Sequence, residues 1–217
     1  MTIHNLSLQN SVLNNFISEM RDVEIQKDKM RFRKNLERVG EIMAYEISKT
    51  LNYETSETIT PLGVADTKIL KEDLVVACIL RAGLPLHQGV LNIFDKAEST
   101  FISAYRKHHK NNTFEIALEY VASPDLSGKT LILCDPMLAS GSSISLTCNA
   151  LKGKGNPAHT HIVCCIASAV GIEFLKKNLP NQNYTLWCGA VDEELTAQAY
   201  IVPGLGDAGD LAFGEKL

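Results

Sequence analysis

Five largely apolar runs of five to seven residues, at 74–80, 99–105, 130–134, 161–167 and 184–190, recur along the chain with longer stretches between them. Runs this short and this continuously apolar read as strands covered on both faces. The intervening segments at 84–94, 142–152 and 170–178 have helical length. Alternation of this kind builds a parallel sheet with helices on its faces. The fold class is therefore α/β, a central parallel sheet flanked by helices, in a single domain over residues 1–217. Upstream, Leu36, Val39, Met43 and Ile47 recur every three or four residues, which predicts an amphipathic helix over 27–51 lying on the sheet. Residues 107–120 are polar at first and then alternate through Phe114, Ile116, Leu118 and Tyr120, the pattern of a hairpin arm extending from the sheet.

Composition narrows the partners. With 45% hydrophobic residues in 217, the chain can bury a sizeable core. A formal charge of -4 gives no general attraction for nucleic acid or anionic membrane, so a phosphate ligand has to be held by a local cluster. A small phosphorylated metabolite fits that balance better than a polymer. Cys78, Cys134, Cys164, Cys165 and Cys188 all lie inside the strand-like runs, and no Cys-x-x-Cys pair occurs. They read as reduced core thiols of a cytoplasmic protein rather than a disulfide framework, a zinc site or a redox centre. The first fifteen residues lack a basic patch followed by an apolar stretch, and no run approaches the roughly 18 apolar residues that a membrane helix needs.

In open α/β sheets ligands gather beyond the carboxyl ends of the strands. The run TLILC ends at Asp135, and DPMLASGSS then supplies a kink at Pro136, small residues at Ala139 and Gly141, and hydroxyls at Ser140, Ser142 and Ser143 before a helical segment. Backbone N–H groups, the positive end of a helix and several hydroxyls directed at one point make a seat for a phosphate monoester. Asp135, at the strand end, is placed to accept hydrogen bonds from sugar hydroxyls. An ordinary capped helix accounts for one serine, not for three hydroxyls, a glycine and an acid together. The Walker pattern is absent. Residues 204–209, GLGDAG, match Gly-x-Gly-x-x-Gly literally, but only eight residues follow, too few for the helix, second strand and ribose-binding acid that a dinucleotide site requires.

Taken together, DPMLASGSS, ILRAG at 79–83 and YIVPGLGDAGDLAFG at 200–214 closely resemble uracil phosphoribosyltransferases of the type I phosphoribosyltransferase fold, over most of the chain. The resemblance implies a hood formed by the terminal segments and transfer of phosphoribose from phosphoribosyl pyrophosphate to uracil. It implies that Asp135, Pro136, Met137, Leu138, Ala139, Ser140, Gly141, Ser142 and Ser143 hold the ribose 5-phosphate and ribose hydroxyls, and that Arg81 and Arg106 bind the pyrophosphate. Ile201, Gly206, Asp207 and Ala208 are implied to read uracil largely through main-chain groups, with Asp207 also facing phosphoribosyl pyrophosphate and the nearest candidate for acid-base or metal-water work. Pro136 stands where the wider superfamily has a second acid, so Mg²⁺ is expected to ride mainly on the substrate rather than in a protein cage. A homodimer or larger homo-oligomer is expected, with GTP a candidate effector.

Several positions depart from the commonest family pattern. Ser140 and Ser142 replace Thr and Gly, a change bearing on phosphate affinity rather than identity. Pro85 and Ala199 stand where Gly is frequent. His108 and His109 fall where acids are common and read as solvated residues of the arm. His159 and His161 share one face of a strand start without a third ligand and read as structural. The rival readings are an RNA-binding attenuator of the same fold and a phosphoribosyltransferase for another base. Against the first, the only basic cluster, from Met20 to Arg38, is interleaved with acids and reads as a solvated helix face.

Overall fold

A computed structural model describes residues 1–108, 114–179 and 183–215, with the backbone alone over 104–108 and 114–118. The chain opens with a short strand, β1 (Thr2–Asn5), and α1 (Val12–Arg21). The long helix α2 (Lys29–Ser48) starts at Asp28, whose carboxylate accepts the free amides of Met30 and Arg31, the usual remedy for unpaired donors at a helix start. A hairpin follows, β2 (Tyr53–Thr60) and β3 (Gly63–Leu70), and then β4 (Leu74–Leu80) and α3 (Leu84–Ile93), which carries Pro85 in its first turn where the missing N–H costs nothing. The chain continues through β5 (Glu98–His108), β6 (Phe114–Ala122), β7 (Thr130–Cys134), the two-residue β8 (Met137–Leu138) and α4 (Ser142–Leu151). It ends with β9 (His159–Ser168), α5 (Ala169–Asn178), β10 (Tyr184–Asp192), β11 (Glu194–Leu195), β12 (Ile201–Val202) and α6 (Ala208–Phe213).

The main sheet runs β1-β10-β9-β7-β4-β5-β6, with β8 pairing to β9, and every pair is parallel except β5 with β6. The expected architecture, a central parallel sheet flanked by helices, is therefore present, with β6 added as an antiparallel edge strand. Alternate residues of the central strands enter opposite cores. Val76, Ile132, Cys134 and Val163 pack with α1, α2, α3 and α6, whereas Val75, Ala77, Leu131, Leu133 and Ile162 pack with α4 and α5. That double burial is why β4, β7 and β9 read as unbroken apolar runs. The outer strand β5 departs from this expectation: Glu98 is exposed and Ser99, Phe101 and Ser103 are half-buried, because β5 lies near the sheet's edge. The arm starts earlier than residue 107, since β5 and β6 already pair at Phe101 and Ala122, while the tip at 109–113 lies outside the described residues.

Helices α2 and α3 cross on glycines. A Cβ at Gly89 would lie 1.9 Å from the Glu37 carbonyl oxygen, and one at Gly40 would lie 2.4 Å from that of Leu86. All six cysteines are free and buried, Cys148 on α4 and the others on strands. No described helix is long and apolar enough to cross a membrane.

Candidate active site

The loop after β7 is pinned to the sheet before it turns. Asp135 N–H donates to the Val163 carbonyl at 3.1 Å, and the Pro136 carbonyl accepts from Cys165 and Ile166 at 2.9 and 3.1 Å. Met137 and Leu138 then pair with Ile166 and Ala167 as β8. Ser168 Oγ donates to the Ala139 carbonyl at 2.6 Å, fastening the next residue to the start of α5. Gly141, at φ +81°, turns the chain into α4 in a conformation that a Cβ disfavours. The N-cap, Gly141, has no side chain to cap α4, and the one side-chain contact to its first turn among the described residues is a long one, Ser142 N–H to Ser140 Oγ at 3.4 Å, so the positive end of a ten-residue helix faces the cleft. Ser140 Oγ and Ser142 Oγ lie 3.1 Å apart and point at the same helix start.

A cavity of about 170 Å³ lies against this loop. One wall is Asp135, Met137, Leu138, Ala139, Ser140, Gly141 and Ser143; the other is Ile201, Gly206, Asp207 and Ala208. The structure thus brings together two segments separated by some sixty residues of chain. Pro136 and Ser142 belong to the loop but do not line the cavity; Ala82, Tyr200 and Gly209, which lie inside the motifs without an assigned role, line it, as do Ala199 and Ile144. Burial pushes the Asp135 carboxyl up to about 7, against a weak opposing hydrogen bond from Met137 N–H at 3.4 Å. Ala199 has φ +61°, a left-handed conformation that suits the glycine commonly found there and strains an alanine.

Arg81 directly follows β4, and its guanidinium reaches α6. Nη2 donates to Asp210 Oδ1 at 2.9 Å and to the Gly214 carbonyl at 3.2 Å. Its Nε is buried and has no hydrogen-bond partner among the described residues. Asp207 caps α6, its Oδ1 accepting from Gly209 and Asp210 amides at 2.8 and 3.0 Å. One of its oxygens is therefore committed to structure. Arg106 lies in β5 opposite Ile116, with only its backbone described; His108 ends that strand, and His109 lies outside the described residues.

Among the described residues no cluster of three His, Cys, Asp or Glu side chains is placed to hold a metal. The donor set near the cleft is one carboxylate, Asp135, followed by a proline, with Asp207 half committed. Magnesium prefers oxygen ligands and keeps waters, so this set suits a Mg²⁺ held mostly by substrate oxygens. His159 and His161 are tied elsewhere: Nε2 of His159 is 2.9 Å from Thr185 Oγ1, and Nδ1 of His161 accepts from Trp187 Nε1 at 3.1 Å. The GLGDAG stretch forms a turn and the start of the six-residue α6, not a strand-to-helix crossover.

A model of the family described as uracil phosphoribosyltransferase matches residues 7–215. The chain belongs to that family. A uracil phosphoribosyltransferase from Porphyromonas gingivalis is 52% identical over 217 residues, covering all of both chains. Another from Pyrococcus furiosus is 36% identical over 204 residues, 93% of this chain and 85% of its own. A solved structure of the AQ2163 protein from Aquifex aeolicus superposes with a TM-score of 0.86 at 28% identity, covering 98% of each chain. A hypoxanthine phosphoribosyltransferase from Staphylococcus aureus, 12% identical with a TM-score of 0.51 over 86% of this chain and 84% of its own, shares the fold.

Within this uracil phosphoribosyltransferase family member, much of the basic cluster is the solvated, acid-interleaved face expected of it, with Lys27, Arg31 and Lys34 exposed, whereas Arg21 and Arg33 turn inward. Arg31 pairs with Glu19, Lys27 with Glu24 and Lys34 with Glu37, while Arg33 donates to the Ala212 carbonyl at 2.7 Å and Arg21 pairs with Asp192. Arg21 and Arg33 tie α1 and α2 to the C-terminal segment, and the other three cations are matched by acids at the surface, which leaves little unbalanced basic surface for RNA.

Proposed function

We propose that this single-domain protein transfers the phosphoribosyl group of phosphoribosyl pyrophosphate to uracil, giving UMP and pyrophosphate. The observation that carries the reading is the shared cleft, in which the start of α4 faces the main-chain turn at Ile201, Gly206 and Ala208. Phosphate would sit on the amides and hydroxyls of Ser140, Gly141, Ser142 and Ser143, with Asp135 accepting from the ribose hydroxyls. Uracil N1 then forms its bond to ribose C1 as the bond from C1 to the pyrophosphate oxygen breaks, positive charge develops on the ring, and the N1 proton is given up to the departing pyrophosphate or to water. Alignment of the two reactants in the cleft supplies much of the catalysis. Arg81, whose buried Nε has no partner among the described residues, is suited to meet the charge growing on the leaving group. Arg106 carries the same assignment from the family resemblance. Mg²⁺, met on the protein side by Asp135, would neutralise charge on the pyrophosphate. Six buried free thiols support a reducing, cytoplasmic setting, and the exposed apolar side chains of the β2–β3 hairpin support a homo-oligomer.

Base choice tests the reading. Uracil offers acceptors at O2 and O4 and a donor at N3; cytosine replaces O4 by an amino donor and lacks the N3 proton. Main-chain groups cannot rotate to suit the second pattern, so cytosine should be disfavoured by about 10⁴ or more in kcat/KM. A fluorine at C5 leaves the polar edge unchanged, and 5-fluorouracil should remain a substrate. Comparable kcat/KM for cytosine and uracil would remove the turn at Ile201 to Ala208 from base recognition. GTP added to the same assay reports whether the resemblance extends to that effector.

A further inference from the structure

The turn beside the cleft is held from outside it. After Ile201 and Val202 the chain doubles back through Pro203 to Gly204, whose φ of +56° brings the position of a Cβ within 2.2 Å of the Ile201 carbonyl oxygen. Both main-chain polar groups of Gly204 are taken by one ion pair. Its N–H donates to Asp192 Oδ2 at 2.9 Å, and its carbonyl accepts from Arg21 Nη1 at 2.9 Å. Arg21 also donates from Nη1 and Nη2 to the two oxygens of Asp192, each at 2.7 Å. Asp192 is the last residue of β10 and Arg21 the last of α1, so the ring of hydrogen bonds joins a sheet end, a helix end and the turn. The Asp192 side chain is only 7% exposed. Burial works to raise its carboxyl, but the Arg21 hydrogen bonds and the Gly204 N–H hold it below the ordinary range, so it stays ionised.

An exposed ion pair contributes little, but this one is bidentate, largely buried and spent on a specific peptide. Two residues beyond Gly204 the chain enters the cleft wall at Gly206, Asp207 and Ala208, and three residues before it lies Ile201. A base read by main-chain atoms is discriminated only while those atoms keep their places within a fraction of an ångström. We infer that Arg21 and Asp192 are positioning residues for base recognition, fixing the Gly204 peptide and through it the groups from Ile201 to Ala208. Neither residue lines the cleft. The inference rests on the reading of that turn as the uracil site. It also accounts for arginine at position 21, because a lysine ammonium cannot present one fork to both carboxylate oxygens while reaching a carbonyl beside them.

Steady-state kinetics with both substrates varied, on Asp192→Asn and Arg21→Lys, tests it well below the melting temperature. Expected is a rise in KM for uracil of about tenfold or more, with KM for phosphoribosyl pyrophosphate within about twofold and a smaller ratio of uracil to cytosine kcat/KM. If Asp192→Asn fails to fold, Asp192→Glu, which keeps the charge one methylene out of place, is read for the same split. Ala208→Val, inside the turn, reports separately on the site reading and should raise the uracil KM. If Ala208→Val moves the uracil KM and the pair's variants do not, the inference is overturned while the site reading stands. If none moves it, the site reading fails and the inference falls with it. A lower melting temperature with both KM values unchanged, or raised equally, makes the pair a purely structural strut and overturns the inference.

Discussion

Asp135 stands where β7 gives way to the phosphate loop, and burial holds its carboxyl at about 7 rather than in the ordinary carboxylate range. Its ionised form offers acceptors to ribose hydroxyls, and its protonated form offers one fewer and adds a donor. In the free enzyme kcat/KM for phosphoribosyl pyrophosphate should therefore fall as pH drops through about 7. Asp135→Asn should lose about 100-fold or more of that activity at pH 8 and lose the acid limb with it. Stability moves the other way. A carboxyl whose folded pKa is raised destabilises the fold above its unfolded pKa, progressively as pH rises from about 4 to 7. At pH 8 the asparagine variant should therefore be more stable, by up to roughly 4 kcal/mol at about 1.4 kcal/mol per pKa unit, and the gain should vanish near pH 4. Near-normal turnover in a folded variant, or an unchanged acid limb, removes Asp135 from the site. Thermal melts at the two pH values check the stability half independently of the assay.

The crossing of α2 over α3 shows how a small residue sets the spacing of whole elements. Because a Cβ at Gly89 meets backbone atoms of Glu37 rather than a movable side chain, Gly89→Ala should push the helices apart and cost about 1–3 kcal/mol, read as a lower urea midpoint. A midpoint equal to that of the parent chain would mean that the crossing relaxes freely. What could be read of the elements in advance follows from the same packing. Residues 74–80 and 130–134 are strands at those bounds because both faces are buried, and the helices starting at Leu84 and Ser142 follow from turn signals at Gly83 and Gly141. The strand β1 was not legible: Thr2–Asn5 carries little apolar pattern, and it joins the sheet at the edge that β10 offers. The hairpin β2–β3 was missed because most of its residues are exposed on both faces, leaving no alternation to read. At the site, the phosphate loop was legible as a local string, whereas β8 depends on an edge of β9 far along the chain. The contact of Arg21 with Asp192, 171 residues apart, leaves no spacing signal at all.

At the scale of the whole molecule the β2–β3 hairpin is the feature that the fold leaves unsupported. Its strands pair in full register from Tyr53 with Leu70 to Thr60 with Gly63, and they form a sheet of their own rather than extending the main one. A lone two-stranded hairpin is marginal in water. Near its tip Ile59 is 88% exposed and Leu62 fully so, with Val64 also exposed. Apolar groups gathered on a projecting element lower the free energy when a partner covers them, and a second copy of the chain is always at hand. The protein should therefore sediment at twice its 23.8 kDa mass or more. The double variant Ile59→Lys/Leu62→Asp should shift it toward the monomer while leaving the circular dichroism of the core unchanged, since neither side chain packs in either core cluster. Sedimentation at both protein concentrations of a wide dilution series separates a true dimer from a crowded monomer. A monomeric parent chain, or a double variant that sediments like the parent, would place the oligomer contact elsewhere or nowhere on this hairpin.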